Sequence, residues 1–581
     1  MANIKLGRCN SKGNFDSLYI LEDANDPNLT GDFPESQLKI GDEVTVRIFH
    51  FNDLHNELRI IHKGKSDTHI FSQMVKIVRD AKAQAADNEI ILFVSAGDDH
   101  MSNPLDELLG FDVDSFKASA AYVAYSEAGL DAAVIGNHEL DRGSELFAKA
   151  IEANAKFPVL SANLYGSKNL TADHYHPAII GMAKGLRVGV IGLTTQQKTL
   201  IRQKDDPNFD VGDLLVSLKT TISHIAPLSD MVIILSHVGY NGKMNGQIRH
   251  KLDVGDMDIA QTAASITDKP MVVIGGHMHL KLNENGLEIC DHNVPIVQAG
   301  AKGNYLGQVV FSLRQTEKAL DSEVNANLIS IKRHESEDDI DIEFEQSVMA
   351  PLYAMLDNKL EEVIGVLNCS TEDISCSKNL QDRYLGETVI ANFMNDAIVA
   401  QIDQVEIAAF NASGINGGIS ANSEISFNDW YQVMPFADTI VIVDMTGQQI
   451  KDMLMSNAQR IVRPEELIDL NDYISRGFLH FSSAIRYTIK LNSDATAAVA
   501  ENIMLHNKPI DQQLDQVFKF ALSDFLTLRG AEGWNNLRHL PQDDTGYVYR
   551  NEIIAFIKKT RILDETVVRN DGRLKVIRNL T

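Results

Sequence analysis

From residue 44 onward, short apolar runs rich in β-branched residues alternate with segments of helical spacing. The runs are Val44–Phe51, Ile90–Ser95, Ala132–Ile135, Val188–Gly192, Met231–Leu235 and Met271–Ile274, and segments such as Ile70–Ala86 and Asp114–Ala128 lie between them. Strands that are apolar at nearly every position need cover on both faces, and strands joined through helices pair in parallel. The pattern predicts an α/β layered domain with a buried sheet, running to about residue 333.

The chain has 581 residues, whereas single cores stop growing at roughly 250–300 residues. Two domains are therefore expected. Residues 1–43 read as an N-terminal extension containing a small hairpin around Ser17–Leu21. Residues 44–333 form the first domain, and 334–365 a linker whose amphipathic pattern over Ser347–Val363 predicts a connecting helix. Residues 366–581 form the second domain, with strands at Val405–Phe410, Ile440–Met445 and Ile485–Leu491 and helices at Thr388–Ala400 and Gly447–Asn457. The net charge of −27 argues against a nucleic acid polymer as partner. It leaves room for a small phosphorylated molecule, because bound divalent ions reverse the local field. No apolar run approaches the roughly 18 residues of a membrane span, so no membrane contact is expected. The first residues lack an apolar signal region, which reads as cytoplasmic unless a signal was removed. Cys369 and Cys376 are near enough in sequence to pair, although reduced thiols suit a chain with so few cysteines. Nothing in the pattern sets an oligomeric state.

Polar residues cluster where the apolar runs end. Asp53 and His55 follow the first run, Asp98 the second and Asn137 the third; His237, and then His277 and His279, follow two later ones. In open α/β sheets the site lies beyond the carboxyl ends of the strands. Five runs thus deliver a carboxylate, amide or imidazole to one edge. The D-x-H and H-x-H spacings let both side chains of a loop point the same way. Nitrogen and oxygen donors without thiolate suit two divalent ions among Mn, Zn, Fe, Co and Ni. Ions about 3.5–4 Å apart need a bridging ligand, and Asp98, between the two ligand sets, is the natural one. Asp99 and His100 follow it directly and are candidates to touch metal, water or substrate.

Taken in order, D-x-H, GD, GNHE, SH and GGHMH resemble the calcineurin-like metallophosphoesterases. Val433-Met434-Pro435-Phe436, with Ile440–Val443 and Thr446-Gly447, resembles the C-terminal domain of the bacterial 5′-nucleotidase family. That family includes UDP-sugar hydrolases and 2′,3′-cyclic-nucleotide phosphodiesterases, often periplasmic or extracellular. The resemblance spans about residues 44–550. It implies a four-layer α-β-β-α metallophosphoesterase domain followed by an α+β substrate-binding domain. It implies one metal on Asp53, His55, Asp98 and His279, and a second on Asp98, Asn137, His237 and His277. His138 and Asp141 match the catalytic pair of GNHExD. The implied reaction is attack of metal-bound hydroxide on a nucleotide or related phosphate ester. The same fold also serves thiosulfohydrolases, and an inactive binding protein is a further alternative, though it would have no need of seven polar ligands.

The substrate residues implied by the resemblance are Phe436 and Trp534 as stacking aromatics, with Arg383, Asn411 and Glu532. Trp534 closes Gly530-Ala531-Glu532-Gly533-Trp534, where the family carries GGDG before Phe or Tyr. In Asn411-Ala412-Ser413-Gly414-Ile415-Asn416, Asn416 stands where the family has arginine, and Arg383 is offset from the other pocket arginine. Asparagine cannot give the bidentate charge-assisted bonds of a guanidinium. The resemblance therefore implies hydrolysis with an altered nucleotide pocket.

Overall fold

A computed structural model describes residues 4–22, 33–60, 67–101, 103–110, 112–196, 199, 206–244, 247–248, 252–332, 336–369, 382–402, 404–436, 438–463, 476–492, 497–528 and 530–578. Cys376 lies outside them, so whether it pairs with Cys369 lies outside the described residues too. The chain divides into two compact units, Met1–Leu356 and Asp357–Thr581. Among the described residues no helix is long and apolar enough to cross a membrane.

The first unit holds two large sheets. One orders its strands Leu320–Ser330, Tyr305–Gln315, Glu43–Phe51, Glu89–Ser95, Ala132–Val134 and Val159–Leu160. The other centres on Leu186–Thr194, Met231–His237, Met271–Gly275 and Val294–Ala299, which pair in parallel. Alternation along each strand divides the side chains between two faces. Ile233 and Leu235 join Ile48, Leu92 and Val94 in a core built from both sheets. Val232 and Ile234 face the other way, onto Leu218 and Ile222 of helix Leu214–Ile225 and Ile259 of helix Asp256–Ala264. On the outer face of the first sheet, Phe51 packs with Phe71, Phe93 and Tyr125 at ring separations of 5.8, 5.3 and 5.1 Å. Phe71 and Tyr125 belong to helices Ile70–Gln84 and Ala120–Ala128. The layers are thus helix, sheet, sheet, helix.

Three expectations change in detail. The helix expected over 114–128 begins only at Ala120, because the Ser119 hydroxyl accepts from the Tyr122 N–H and caps it. The connecting helix over 347–363 is broken. A wide turn at Glu345–Met349 leads into Ala350–Ala354 and then Asp357–Leu360, and Val363 already belongs to a strand. Pro351 has no N–H to donate back into the preceding turn, so the helix restarts there. The N-terminal extension is built into the first unit. Its hairpin of Ile4–Gly7 and Ser17–Leu21 adds to the edge strand Ala178–Ala183, and Phe15, Leu18 and Ile20 enter the inter-sheet core.

Among its described residues the second unit has sheets of three, five and four strands. The five-stranded one runs Leu479–Phe481, Ile407–Asn411, Val517–Ser523, Thr439–Thr446, Gln542–Val548. Helices Val389–Gln401, Gly447–Gln459 and Tyr549–Thr560 accompany them.

Phe15 provides a test of the N-terminal segment. It is 8% exposed, and a Cβ added at Gly181 would run into its ring. Phe15→Ala leaves a cavity between the sheets and should destabilise the first unit by about 3 kcal/mol, read as a lower urea midpoint. A hairpin outside the core would give a change within about 0.5 kcal/mol.

Candidate metal centre

All seven expected ligands lie at the carboxyl edge of the two sheets. Parallel pairing brings Phe51 beside Ser95 and Ser95 beside Ala133, so the loops after these strands emerge together. His237 ends its own strand, and His277 and His279 follow Gly275 on the neighbouring one. The structure brings the side chains into two groups, Asp53 with His55 and His279, and Asp98 with His237 and His277, each with candidate ligand atoms within 4.8 Å of one another. His279 Nε2 lies 3.3 Å from Asp53 Oδ1, and His237 Nε2 3.0 Å from Asp98 Oδ2. The Asn137 amide oxygen lies 2.9 Å from His277 Nδ1, which adds it to the second group.

The backbone at these positions is strained. Asp53, His55, Asp98, His277 and His279 have φ of 49, 52, 54, 70 and 55°. Left-handed conformations cost roughly 1–3 kcal/mol each for residues with a Cβ. Such strain persists only where the surroundings over-determine it. Here Asn52 Nδ2 donates to Asp53 Oδ2 at 2.6 Å and to the Gly300 carbonyl at 2.6 Å, while its Oδ1 accepts from Ala299 N–H. The His277 N–H lies 3.0 Å from Asp53 Oδ2. Glu139 accepts from the N–H groups of Gly136 and Asp99 at 2.6 Å, and of Asp98 and His100 at 3.2 and 3.3 Å. It ties the Asp98 and Asn137 loops together. Glycines leave the room this needs: a Cβ on Gly136 would overlap Asp98, and one on Gly276 would come within 2.8 Å of His237 Nδ1.

Ring orientation follows from carbonyl acceptors. His237 Nδ1 donates to the Ala96 carbonyl at 2.7 Å, and His55 Nδ1 to the His100 carbonyl at 3.1 Å. In both rings this leaves the Nε2 lone pair as the ligating site. Burial pushes His55 down to about 3, so it is neutral and ready to ligate. Burial also opposes charge on His237, but the Asp98 carboxylate outweighs it and lifts this imidazole to about 10 in the metal-free site. Burial resists ionisation of Asp98 as well, yet the nearby imidazoles of His237, His138 and His55 hold it well below the usual carboxylate range. The donor set therefore fits two divalent cations: buried carboxylates, imidazoles with aligned lone pairs, and an amide oxygen.

His138 stands beside this cluster. Its N–H donates to Asp98 Oδ1 at 2.9 Å, its Nδ1 lies 2.5 Å from Asp141 Oδ2, and its ring centroid is 5.2 Å from that of His55. Asp99 and His100 turn away from the ligands. Asp99 accepts from Ser95 and Tyr125 hydroxyls, and burial, with Glu139 adding to it, raises its carboxyl to about 8. His100 Nε2 meets the Ser119 hydroxyl at 2.8 Å. The His100 carbonyl holds His55. Glu139 stands inside the GNHE motif, whose spacing alone gives it no role. The roles of Asn52 and of the Ala96 and His100 carbonyls left no signal in sequence.

The substrate residues expected in the second unit are more dispersed in character. Phe436 is half-buried on the loop after helix Phe427–Val433. Trp534, expected as an open stacking ring, is instead a core side chain. It is 1% exposed, its Nε1 donates to the Gly477 carbonyl at 2.8 Å, and the Arg460 guanidinium lies 4.0 Å over its ring. Indole burial with its N–H satisfied explains why the residue packs inward. Asn411 Nδ2 donates to the Ser413 hydroxyl at 2.6 Å, which in turn donates to Glu532 Oε1 at 2.5 Å, so these three form one polar chain. Arg383 is 7% exposed and donates through Nη1 to the Ile415 carbonyl. Asn416 is half-buried, and its N–H donates to the Val433 carbonyl at 2.8 Å.

Two outcomes are expected. Gly136→Ala should fold but bind less metal than the wild-type chain by elemental analysis, because the new methyl displaces Asp98; full occupancy would show the loop can yield. Since His237 carries a proton in the metal-free site, cations must displace it. Apparent metal affinity of the apoprotein should therefore rise with pH up to about 10, where His237 would lose its proton unaided, measurable by titration with competing chelator.

Residues 46–281 match the family model for calcineurin-like phosphoesterases, and residues 363–539 that for the 5′-nucleotidase C-terminal domain. The 5′-nucleotidase of Vibrio vulnificus is 22% identical over 574 residues, spanning 91% of this chain and 92% of that protein. Protein UshA of Escherichia coli is 24% identical over 567 residues, spanning 91% and 94%. The crystal structure of a 5′-nucleotidase precursor from Thermus thermophilus aligns with a TM-score of 0.63 at 20% identity, covering 92% of this chain and all of that one. The sulfate thiohydrolase SoxB of the same organism aligns at 0.55 with 14% identity, covering 95% and 99%. With both of its halves matched in this order, the chain belongs to the calcineurin-like phosphoesterases that carry a 5′-nucleotidase C-terminal domain, a group of metal-dependent hydrolases.

Proposed function

We propose that this chain hydrolyses a nucleotide or closely related phosphate ester, using Asp53, His55, Asp98, Asn137, His237, His277 and His279 to hold two divalent cations and His138 with Asp141 to handle charge and protons. The observation that carries this reading is the His138–Asp141 pair at 2.5 Å, anchored through the His138 N–H to Asp98 Oδ1. Bound divalent ions supply Lewis acidity and an acidified water. The protein's residues do the rest. Asp98 accepts from the His138 N–H through Oδ1 and meets His237 Nε2 through Oδ2, so one carboxylate ties the His138 pair to the ligand group of His237 and His277. His138 gives Nδ1–H to Asp141, which fixes the tautomer and leaves Nε2 to face a phosphoryl or leaving oxygen. From there Nε2 can neutralise developing charge or pass a proton to the leaving group.

Recognition of the nucleotide is proposed for Phe436 and for the polar chain of Asn411, Ser413 and Glu532. A half-buried phenyl ring can stack on a base without reading its identity. Asn416 and the inward-held Arg383 supply no guanidinium fork, which favours substrates whose phosphate is held mainly at the cations.

The direct test is a panel of AMP, a UDP-sugar, a 2′,3′-cyclic nucleotide and an aryl phosphate, each with added Mn, Zn or Co. Turnover of at least one nucleotide is expected, and activity on none sinks the proposal. His138→Ala should retain its metals while kcat falls by a factor on the order of 10²–10⁴. Unchanged turnover would remove His138 from the mechanism.

A further inference from the structure

We propose that Arg550, which lies outside every motif noted in the sequence, is a positioning residue for the loop that carries Phe436 and through it sets affinity for the aromatic part of the substrate. The inference rests on the reading of Phe436 as that aromatic contact. Helix Phe427–Val433 ends at Met434, and its last carbonyls have no partner within the helix. Pro435 follows and brings no N–H of its own. Arg550 Nη1 lies 3.3, 3.0 and 3.3 Å from the carbonyl oxygens of Met434, Pro435 and Phe436. Three successive carbonyls thus converge on one cation, in charge-assisted bonds stronger than neutral ones. The guanidinium also lies 4.2 Å over the ring of Tyr431, on the same helix.

The loop is held at its far end too. Tyr549 N–H donates to the Asp438 carbonyl at 2.9 Å, and Thr439 N–H to Asp524 Oδ1 at 3.0 Å. Arg550 and Tyr431 are both fully buried, while the Phe436 side chain between these anchors keeps part of its surface open. Burying a guanidinium is unfavourable unless its bonds are well made, and an apolar side chain of similar volume would fill the space as well. An apolar side chain could not gather three carbonyls. A lysine would keep the charge but lose the planar fork and the stacking on Tyr431.

The test compares AMP with glycerol 3-phosphate, which has no aromatic ring, on the metal-loaded full-length enzyme. Phe436→Ala and Arg550→Met should each raise the ratio of KM for AMP to KM for glycerol 3-phosphate about tenfold, with the ratio of kcat values kept, as expected when binding common to ground and transition states is lost. The double variant should exceed Phe436→Ala by little, because one residue acts through the other. A general loss of folded enzyme would lower both activities alike and leave the KM ratio where it was, which overturns the proposal. A raised ratio in Phe436→Ala with none in Arg550→Met also overturns it while leaving the role of Phe436 intact. No rise in Phe436→Ala removes the aromatic contact and the proposal with it. If Arg550→Met does not yield folded protein, Arg550→Lys carries the same comparison, with a smaller rise in the KM ratio expected and an unchanged ratio overturning the proposal.

Discussion

The Glu139 carboxylate accepts four backbone N–H groups, from Gly136, Asp98, Asp99 and His100, and with them it holds two loops that leave adjacent parallel strands. The geometry of the centre depends on this. Asp98 is left-handed at φ 54°, a conformation its chain neighbours alone would not keep. With both carboxylate oxygens engaged, the loop cannot relax without leaving a buried charge short of partners, which is costly. Asn52 does the same for Asp53 on the neighbouring loop. Buried polar groups with every bond made are therefore what keep five ligands in backbone conformations that are individually unfavourable.

The layered fold supplies the other half of the constraint. Two sheets packed face to face place the ends of Glu43–Phe51, Glu89–Ser95 and Ala132–Val134 opposite those of Met231–His237 and Met271–Gly275. Neither sheet alone carries a complete ligand set. Asp53 and His55 come from one and His279 from the other; Asp98 and Asn137 from one, and His237 and His277 from the other. The apolar core between the sheets thus aligns the metal groups, and stability and function share that interface.

The second unit follows a different logic. Several of its aromatic and basic residues are spent on the fold itself. Trp534 packs under Arg460, Arg383 turns to the Ile415 carbonyl, and Arg550 gathers the loop before Thr439. Phe436 keeps part of its surface open, and Asn411, itself buried, forms a chain of short polar contacts with Ser413 and Glu532. Asn416, standing where the family carries arginine, brings no guanidinium.

Much of this was legible in the sequence because it is local. Continuous apolar runs mark strands wherever both faces are covered, and a ligand that follows its strand by two residues is brought to the sheet edge by that strand. The seven candidate metal ligands, the His138–Asp141 spacing and the layered architecture are all of this kind. The limits were equally physical. Ser347–Val363 has helical spacing, but Pro351 and the strand pairing of Val363 with Ser426 break it, and a pairing partner 63 positions away leaves no mark in the local pattern. Residues 1–43 look detached because their hairpin is stabilised by strand Ala178–Ala183, far along the chain. Whether an aromatic ring faces a ligand or the core depends on what lies across from it, which for Trp534 is Arg460. The sequence by itself determined which residues could reach the edge of the sheets and what chemistry they could perform there. Only the tertiary structure decided how they are held, since Glu139, Asn52 and the Ala96 and His100 carbonyls act through bonds between distant segments that no spacing encodes.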